Sequence, residues 1–368
     1  MSKIKILHVI VGFIGGGVEE FLYNNIINMP REDYDISIIA YNKSLESCIE
    51  KFKKLDIKIY ELNNPNVKDR KNNLAIYKII KENKFDIVHV HMTEFSMYPC
   101  LIAKNLNVKV IIAHSHNVYV SNGIAEKIKF MLHKSLTNAF ANRYMACSKD
   151  AAISLFGNSK VKNNKVTLIN NGINLERFLF NKDTREEIRE ELKIKSDEIL
   201  IGNIGRFVEQ KNHKFILDIF KEICKKSNQY KLLLIGEGKL KDEMKKYALE
   251  LDINNKVIFK DNTSEIEKMY SAMDYFLFPS LFEGLGIVTI EAQTNGLQVL
   301  ASDVVPREAQ VTNNIKFFSL SASATEWANI ILNTEIKDRA ENIDIKLLAK
   351  FDNKKTAIEL DKYYKAEV

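Results

Sequence analysis

The chain has 368 residues, 46% of them hydrophobic, with 14 glycines, 5 prolines and a formal charge of +6. That length exceeds what one core usually serves, so two domains are expected, and the low Gly and Pro content excludes a fibrous, low-complexity or linker-dominated chain. The basic excess belongs to the first half, with 24 Lys and Arg against 15 Asp and Glu through Leu175 and 30 against 33 after it.

No aromatic and basic stripe accompanies those charges, which argues against nucleic acid. A weakly basic face toward an anionic membrane fits them, as does an ordinary solvated lysine-rich surface. The cysteines Cys48, Cys100, Cys147 and Cys224 form no C-x-x-C pair. They predict buried thiols in a reducing compartment rather than disulfides or zinc. The opening apolar run, Met1 to Val11, is too short to span a membrane and lacks a small-residue cleavage site, which predicts a cytoplasmic protein.

In chain order, Ile4–Val11, Ile36–Ala40, Ile57–Leu62, Ile87–His91, Val110–His114 and Tyr144–Cys147 are short apolar runs. Helical patterns such as Val18–Met29, Leu74–Asn83 and Ile124–Ala141 separate several of them. Such alternation predicts βαβ units on a parallel sheet. The strand Val166–Ile169 ends at the turn-forming Asn170-Asn171-Gly172, where the boundary is placed. A second series follows, with strands Ile199–Ile204, Lys231–Ile235, Lys256–Phe259, Tyr275–Pro279 and Gln298–Ala301. Helices Lys214–Lys226, Lys239–Leu251, Ser264–Met273 and Gly286–Asn295 lie between them. The predicted class is α/β, with Rossmann-like domains over 1–172 and 173–345 and a helical segment over 346–368, including Lys354–Tyr364, free to pack back on either domain. In open parallel sheets ligands gather beyond the carboxyl ends of the strands, so the chemistry is sought in those loops.

The first strand runs into Gly15-Gly16-Gly17-Val18-Glu19, where the backbone can approach a ligand closely, although the spacing is neither G-x-G-x-x-G nor a Walker A loop. Gly205-Arg206-Phe207-Val208-Glu209-Gln210-Lys211-Asn212 puts a guanidinium and an ammonium just beyond a buried strand. Two such cations can grip a diphosphate and stabilise the charge that builds on it as it leaves. Gly236-Glu237-Gly238 is a glycine-rich turn at the next strand end. Pro279-Ser280-Leu281-Phe282-Glu283-Gly284-Leu285-Gly286 leads into a helix bearing Glu291, so two carboxylates stand eight residues apart. At about 1.5 Å rise per residue they would lie roughly 12 Å apart, too far to share a proton and suited to two ends of one long polyhydroxylated ligand.

His89 with His91, and His114 with His116, sit in H-x-H pairs near strand ends; no Asp or Cys joins them at ligand spacing, so no metal is expected. His116, whose loop continues through Asn117 toward Ser121-Asn122-Gly123, is the candidate imidazole for a ligand site. Asp33-Tyr34-Asp35 has the form of a D-x-D metal pair but precedes its strand, at the wrong sheet edge, and is read as a solvated turn.

Together these segments resemble the retaining glycosyltransferases of family four, which have the GT-B fold of two facing Rossmann-like domains. The resemblance covers nearly the whole chain. It rests on Gly15–Gly17 with Val18-Glu19, Ala113-His114-Ser115-His116-Asn117, Asn171-Gly172-Ile173, Gly205-Arg206 with Gln210-Lys211, Gly236-Glu237-Gly238 and the E-x7-E pair Glu283 and Glu291. The stretch from Glu291-Ala292-Gln293 to Ser302-Asp303 is most similar to the bacterial capsule and exopolysaccharide branch.

The resemblance implies that Arg206 and Lys211 hold the diphosphate of a nucleotide sugar, Glu291 its ribose and Glu283 its sugar hydroxyls. Gly236, Glu237, Gly284, Leu285 and Gly286 would complete the donor site, and Gly16 and Gly17 would lie toward the phosphates. His116 would take the N-terminal active-site position, with His114 the alternative. It further implies no bound metal or other cofactor, a UDP-sugar donor, a glycan or lipid-linked glycan acceptor in the N-terminal domain, and closure that excludes water. Gly286 stands where many relatives have Pro, and Asn212 where many have Gly. The alternatives are an epimerase or phosphorylase of the same fold, or a non-catalytic nucleotide-sugar-binding protein. A nicotinamide-dependent oxidoreductase is disfavoured by the missing G-x-G-x-x-G.

Overall fold

The computed structural model describes residues 3–13, 16–41, 46–62, 66, 68–120, 123–336, 338–339 and 343–368, without the side chains of 46–48. Gly15, Ser121 and Asn122 therefore lie outside the described residues. The chain forms two compact units, Met1–Ile173 with Lys350–Val368, and Asn174–Ala349.

The first unit is built on seven parallel strands: β1 (Ile4–Ile10), β2 (Tyr34–Ala40), β3 (Lys58–Glu61), β4 (Ile87–Val90), β5 (Val110–Ser115), β6 (Arg143–Ala146) and β7 (Thr167–Leu168). Their order is β3-β2-β1-β4-β5-β6-β7. The inner strands are covered on both faces, so they read as continuous apolar runs rather than alternating ones. Helix Gly17–Asn28 turns Phe21, Leu22 and Ile26 into this core. The C-terminal helix Asn353–Glu367 belongs to the same unit and contributes Ala357, Leu360 and Tyr364 to it.

Asp352 caps that helix by accepting from the Lys354 N–H, and Ile173 holds its approach through a 2.7 Å bond to the Phe351 carbonyl. A β-carbon on Gly172 would stand 2.3 Å from Thr356 Oγ1, so only glycine fits this crossing. The same helix corrects the reading of Asp33-Tyr34-Asp35. Tyr34 is buried and donates to Asp361, and Asp33 pairs with Lys365, so only Asp35 is solvated.

The second unit carries β8 (Ile199–Ile204), β9 (Tyr230–Ile235), β10 (Val257–Lys260), β11 (Tyr275–Phe278), β12 (Gln298–Ser302) and β13 (Ile315–Phe318), all parallel in the order β10-β9-β8-β11-β12-β13. Its core includes Phe220, Leu232, Leu234 and Trp327. Buried Asp274 accepts from Arg185, Arg189 and the Leu200 N–H, which ties helix Lys182–Glu191 to the start of β8. In both units strand order reverses beside the first strand, at β1/β4 and at β8/β11, which opens a crevice at the carboxyl edge.

Candidate active site

In the second unit the loops after β8 and β11 meet at that crevice. Lys211 Nζ lies 2.6 Å from Glu283 Oε1, although 72 residues separate them. The pair is well shielded, with 14% and 7% of the two side chains exposed. Phe278 lies beneath the ammonium, 4.8 Å from ring centre to Nζ. Hydrogen bonds to backbone carbonyls fix the two loops to each other: the Leu281 N–H donates to the Gln210 carbonyl, Gln210 Nε2 to that of Phe282, and Asn212 Nδ2 to that of Pro279. Asn212 itself has φ +55°, a conformation asparagine tolerates better than most side chains.

Arg206 is half-buried on the same loop. Its guanidinium has no hydrogen-bond or ion-pair partner among the described residues, which leaves it available to an anion. The Gly236-Glu237-Gly238 turn presses against it. A β-carbon on Gly236 would sit 2.1 Å from the Gly205 carbonyl, and one on Gly238 2.6 Å from that of Phe207. Both glycines also adopt positive φ, 153° and 147°. Their identity therefore sets how closely this turn meets the arginine loop. The Glu237 side chain is exposed, and its carbonyl accepts from the Phe207 N–H.

Helix Ile287–Thr294 starts after Gly286, whose φ of +79° supplies the left-handed turn. Glu283 consequently sits in the turn before the helix rather than on it, so the straight-helix estimate of the Glu283–Glu291 separation does not apply. Gly284 and Leu285 are buried in that turn. Glu291 Oε2 accepts a 2.7 Å bond from the Tyr270 hydroxyl. Burial, then the Glu291 charge, pushes the Tyr270 phenol well above its ordinary value, so it stays a donor and fixes the carboxylate. Sequence reasoning missed Tyr270, because nothing in its spacing marks it. A hollow of about 500 Å³ along β13, between Arg307, Phe318 and Ile330, shares none of these residues.

In the first unit the switch point holds five histidines. His8, from β1, joins His89, His91, His114 and His116 because β1, β4 and β5 are neighbours in register. Two hydrogen-bonded chains result. His8 Nδ1 meets His91 Nε2 at 3.0 Å and His91 Nδ1 meets His116 Nε2 at 2.8 Å. Tyr364 Oη meets His89 Nδ1 at 2.6 Å and His89 Nε2 meets His114 Nδ1 at 3.1 Å.

Each chain ends on a buried ring nitrogen without a partner, His116 Nδ1 and His114 Nε2. Burial lowers His8 and His116 to about 3 and, with mutual repulsion, takes the other three well below their ordinary value, so all five rings are neutral near pH 7. Phe21, one turn along the helix that begins at Gly17, packs 5.3 Å from His116, centre to centre. The glycine turn and His116 thus share one edge of the sheet, and the Gly16 N–H is already bound by Glu19.

No Asp or Cys joins these histidines in a ligand cluster among the described residues, but His8 does. His8/His89/His91 and His91/His114/His116 each bring ligand nitrogens within 4.8 Å of one another. His8 was overlooked because pairing between distant strands is invisible in spacing.

Two Rossmann-like parallel sheets, each with a switch point beside its first strand, are the elements of the GT-B fold. The Glycosyltransferase Family 4 model matches residues 15–177, and the Glycosyl transferases group 1 model matches residues 184–345. The chain belongs to glycosyltransferase family 4 and uses nucleotide sugars.

The putative glycosyltransferase EpsF of Bacillus subtilis is 29% identical over 94% of this chain and 91% of its own. The UDP-Gal:α-D-GlcNAc-diphosphoundecaprenol α-1,3-galactosyltransferase of Escherichia coli is 25% identical over 86% of this chain and 84% of its own. Among solved structures, Anabaena HepE in complex with UDP and glucose superposes with a TM-score of 0.83 at 18% identity, over 99% of this chain and 100% of that one. At that identity the likeness speaks for the fold.

Proposed function

We propose that the protein transfers a hexosyl or N-acetylhexosaminyl group, with retention at the anomeric carbon, from a UDP-sugar to a glycan or lipid-linked glycan in exopolysaccharide or capsule assembly. The shielded Lys211–Glu283 pair at the β8/β11 switch point carries this reading. There the ammonium and the unpaired Arg206 take the place of a divalent metal on the diphosphate, so no metal cofactor is needed for that step. Negative charge grows on the diphosphate as its bond to the sugar breaks, and the cations stabilise the transition state more than the bound donor.

Glu283 accepts from sugar hydroxyls while holding Lys211 in place. Glu291, oriented by Tyr270, accepts from the ribose, and the Gly236–Gly238 turn gives the nucleotide its close backbone approach. The acceptor oxygen bonds to the anomeric carbon on the face the diphosphate leaves, and the acceptor's proton passes to the departing phosphate oxygen. The neutral His116 imidazole stands at the switch point of the first unit, which takes the acceptor and touches the inner face of the membrane. A UDP donor is supported by HepE, whose structures hold UDP and UDP-glucose, and a lipid-linked acceptor by the Escherichia coli relative.

A thermal-shift screen of uridine and guanosine diphosphate sugars, followed by NMR of the product formed on a diphosphate-linked lipid glycan, tests the reading. Stabilisation by one UDP-sugar and an axial linkage from an axial donor are expected. A donor sugar altered in the absence of acceptor would make the protein an epimerase instead. Full turnover by Lys211→Ala would remove that lysine from the chemistry.

A further inference from the structure

Helix Ile124–Phe140 is turned inside out. In a surface helix the apolar stripe normally faces the core and polar residues face water. Here the buried residues are His133 and Thr137, and the His133 ring bonds the Glu94 carbonyl. On the opposite side Ile124, Ile128, Met131 and Leu132 are 80%, 63%, 57% and 58% exposed. At about 100° per residue these four fall within an arc of about 100°, centred on exposed Ser135. Val120, just ahead of the helix, is exposed too.

Single exposed apolar side chains need no explanation, whereas four large ones sharing one helix face mark a binding surface. The charges that flank the arc on the helix itself are basic. Exposed Lys127 and Lys129 border the arc on either side, while Glu126 lies around the helix from it. Residues 158–165, which follow Gly157 where it approaches the Lys134 side chain, carry Lys160, Lys162 and Lys165 and no acid.

We infer that this face inserts into an anionic lipid surface, with the four apolar side chains entering the acyl boundary and the lysines meeting the headgroups. The inference rests on the membrane contact in the proposed function and names the surface that makes it. Charge complementarity favours this occupant over a second copy of the chain, because copies would bring like-charged lysine borders together.

The test is flotation of the full chain with phosphatidylcholine vesicles, alone or containing phosphatidylglycerol, without donor or acceptor. The wild type is expected to float with the anionic vesicles and to be released by salt. The Ile124→Ser/Ile128→Ser/Leu132→Ser variant is expected to lose at least about ten-fold in vesicle partition, with unchanged melting and unchanged stabilisation by UDP-sugar. Lys127→Glu/Lys129→Glu should lose the preference for phosphatidylglycerol, and Leu249→Ser, an exposed residue of the second unit, should change nothing.

Flotation of the triple variant equal to wild type overturns the inference. So does a wild type that floats with neither vesicle, or one that sediments as a dimer which the triple variant dissociates. Because flotation is scored without sugar transfer, its failure leaves the donor-site reading intact, and loss of UDP-sugar binding leaves the membrane surface intact.

Discussion

Removing the ammonium of Lys211 should cost the protein both stability and turnover, and a second substitution separates the two losses. Lys211→Met strands the Glu283 carboxylate, only 7% exposed, without the cation that lies 2.6 Å away. Breaking a buried pair from one side costs about 3–5 kcal/mol; with Lys211 itself 14% exposed, the low end, about 3 kcal/mol, is expected. For a unit the size of Asn174–Ala349 that lowers its melting temperature by roughly 6–12 °C. Glu283→Gln in the same chain removes the stranded charge, and replacing both members of a buried pair is often nearly neutral. The double variant is therefore expected to recover most of the lost melting temperature by calorimetry while transfer stays at least about a hundred-fold below wild type, because the diphosphate still lacks its cation. If Lys211→Met melted within about 1 °C of wild type, or the double variant regained turnover along with stability, the pair would have neither the burial nor the catalytic weight argued for it.

Gly236→Ala would put a β-carbon 2.1 Å from the Gly205 carbonyl, a backbone atom that moves only with the Arg206 loop. Donor KM should rise at least about ten-fold with a stability loss of about 2 kcal/mol, whereas Gly123→Ala, with open space around it, should leave both unchanged. Asp274→Ala frees Arg185, Arg189 and the Leu200 N–H together and should lower the urea stability of the second unit by about 3 kcal/mol with no change in donor KM. The first unit should be the more acid-sensitive one. Its depressed histidines stay neutral while the unfolded chain takes up protons below about pH 6.5, so stability is full above that pH and falls toward about pH 3. His8 and His116 would each account for about 1.4 kcal/mol lost by pH 5.5. In the second unit His213 is shifted the same way, so urea midpoints at pH 7.5 and 5.5 should fall further for the first unit.

What the sequence made legible follows from which forces act locally. Strands such as β1 and β8 announce themselves because a strand covered on both faces must be apolar throughout. Edge strand β13, Ile315–Phe318, half-buried and carrying Lys316, does not. Lys211 and Glu283 were singled out by motif, but their contact depends on β8 and β11 lying side by side, a pairing that no spacing within either loop encodes. His8 escaped notice for the same reason. Its partners come from β4 and β5, and only register across the sheet brings the five rings together. The helix Ile124–Phe140 separates what periodicity can say from what it cannot. Ile124, Ile128, Met131 and Leu132 recur at the spacing of a buried stripe, and a reading of period alone assigns them to the core. Period fixes that a stripe exists and leaves open which way it faces. That direction is set by what the opposite side can bury, and here His133 and Thr137 have taken the inward positions, His133 by bonding a backbone carbonyl that an isoleucine could not satisfy.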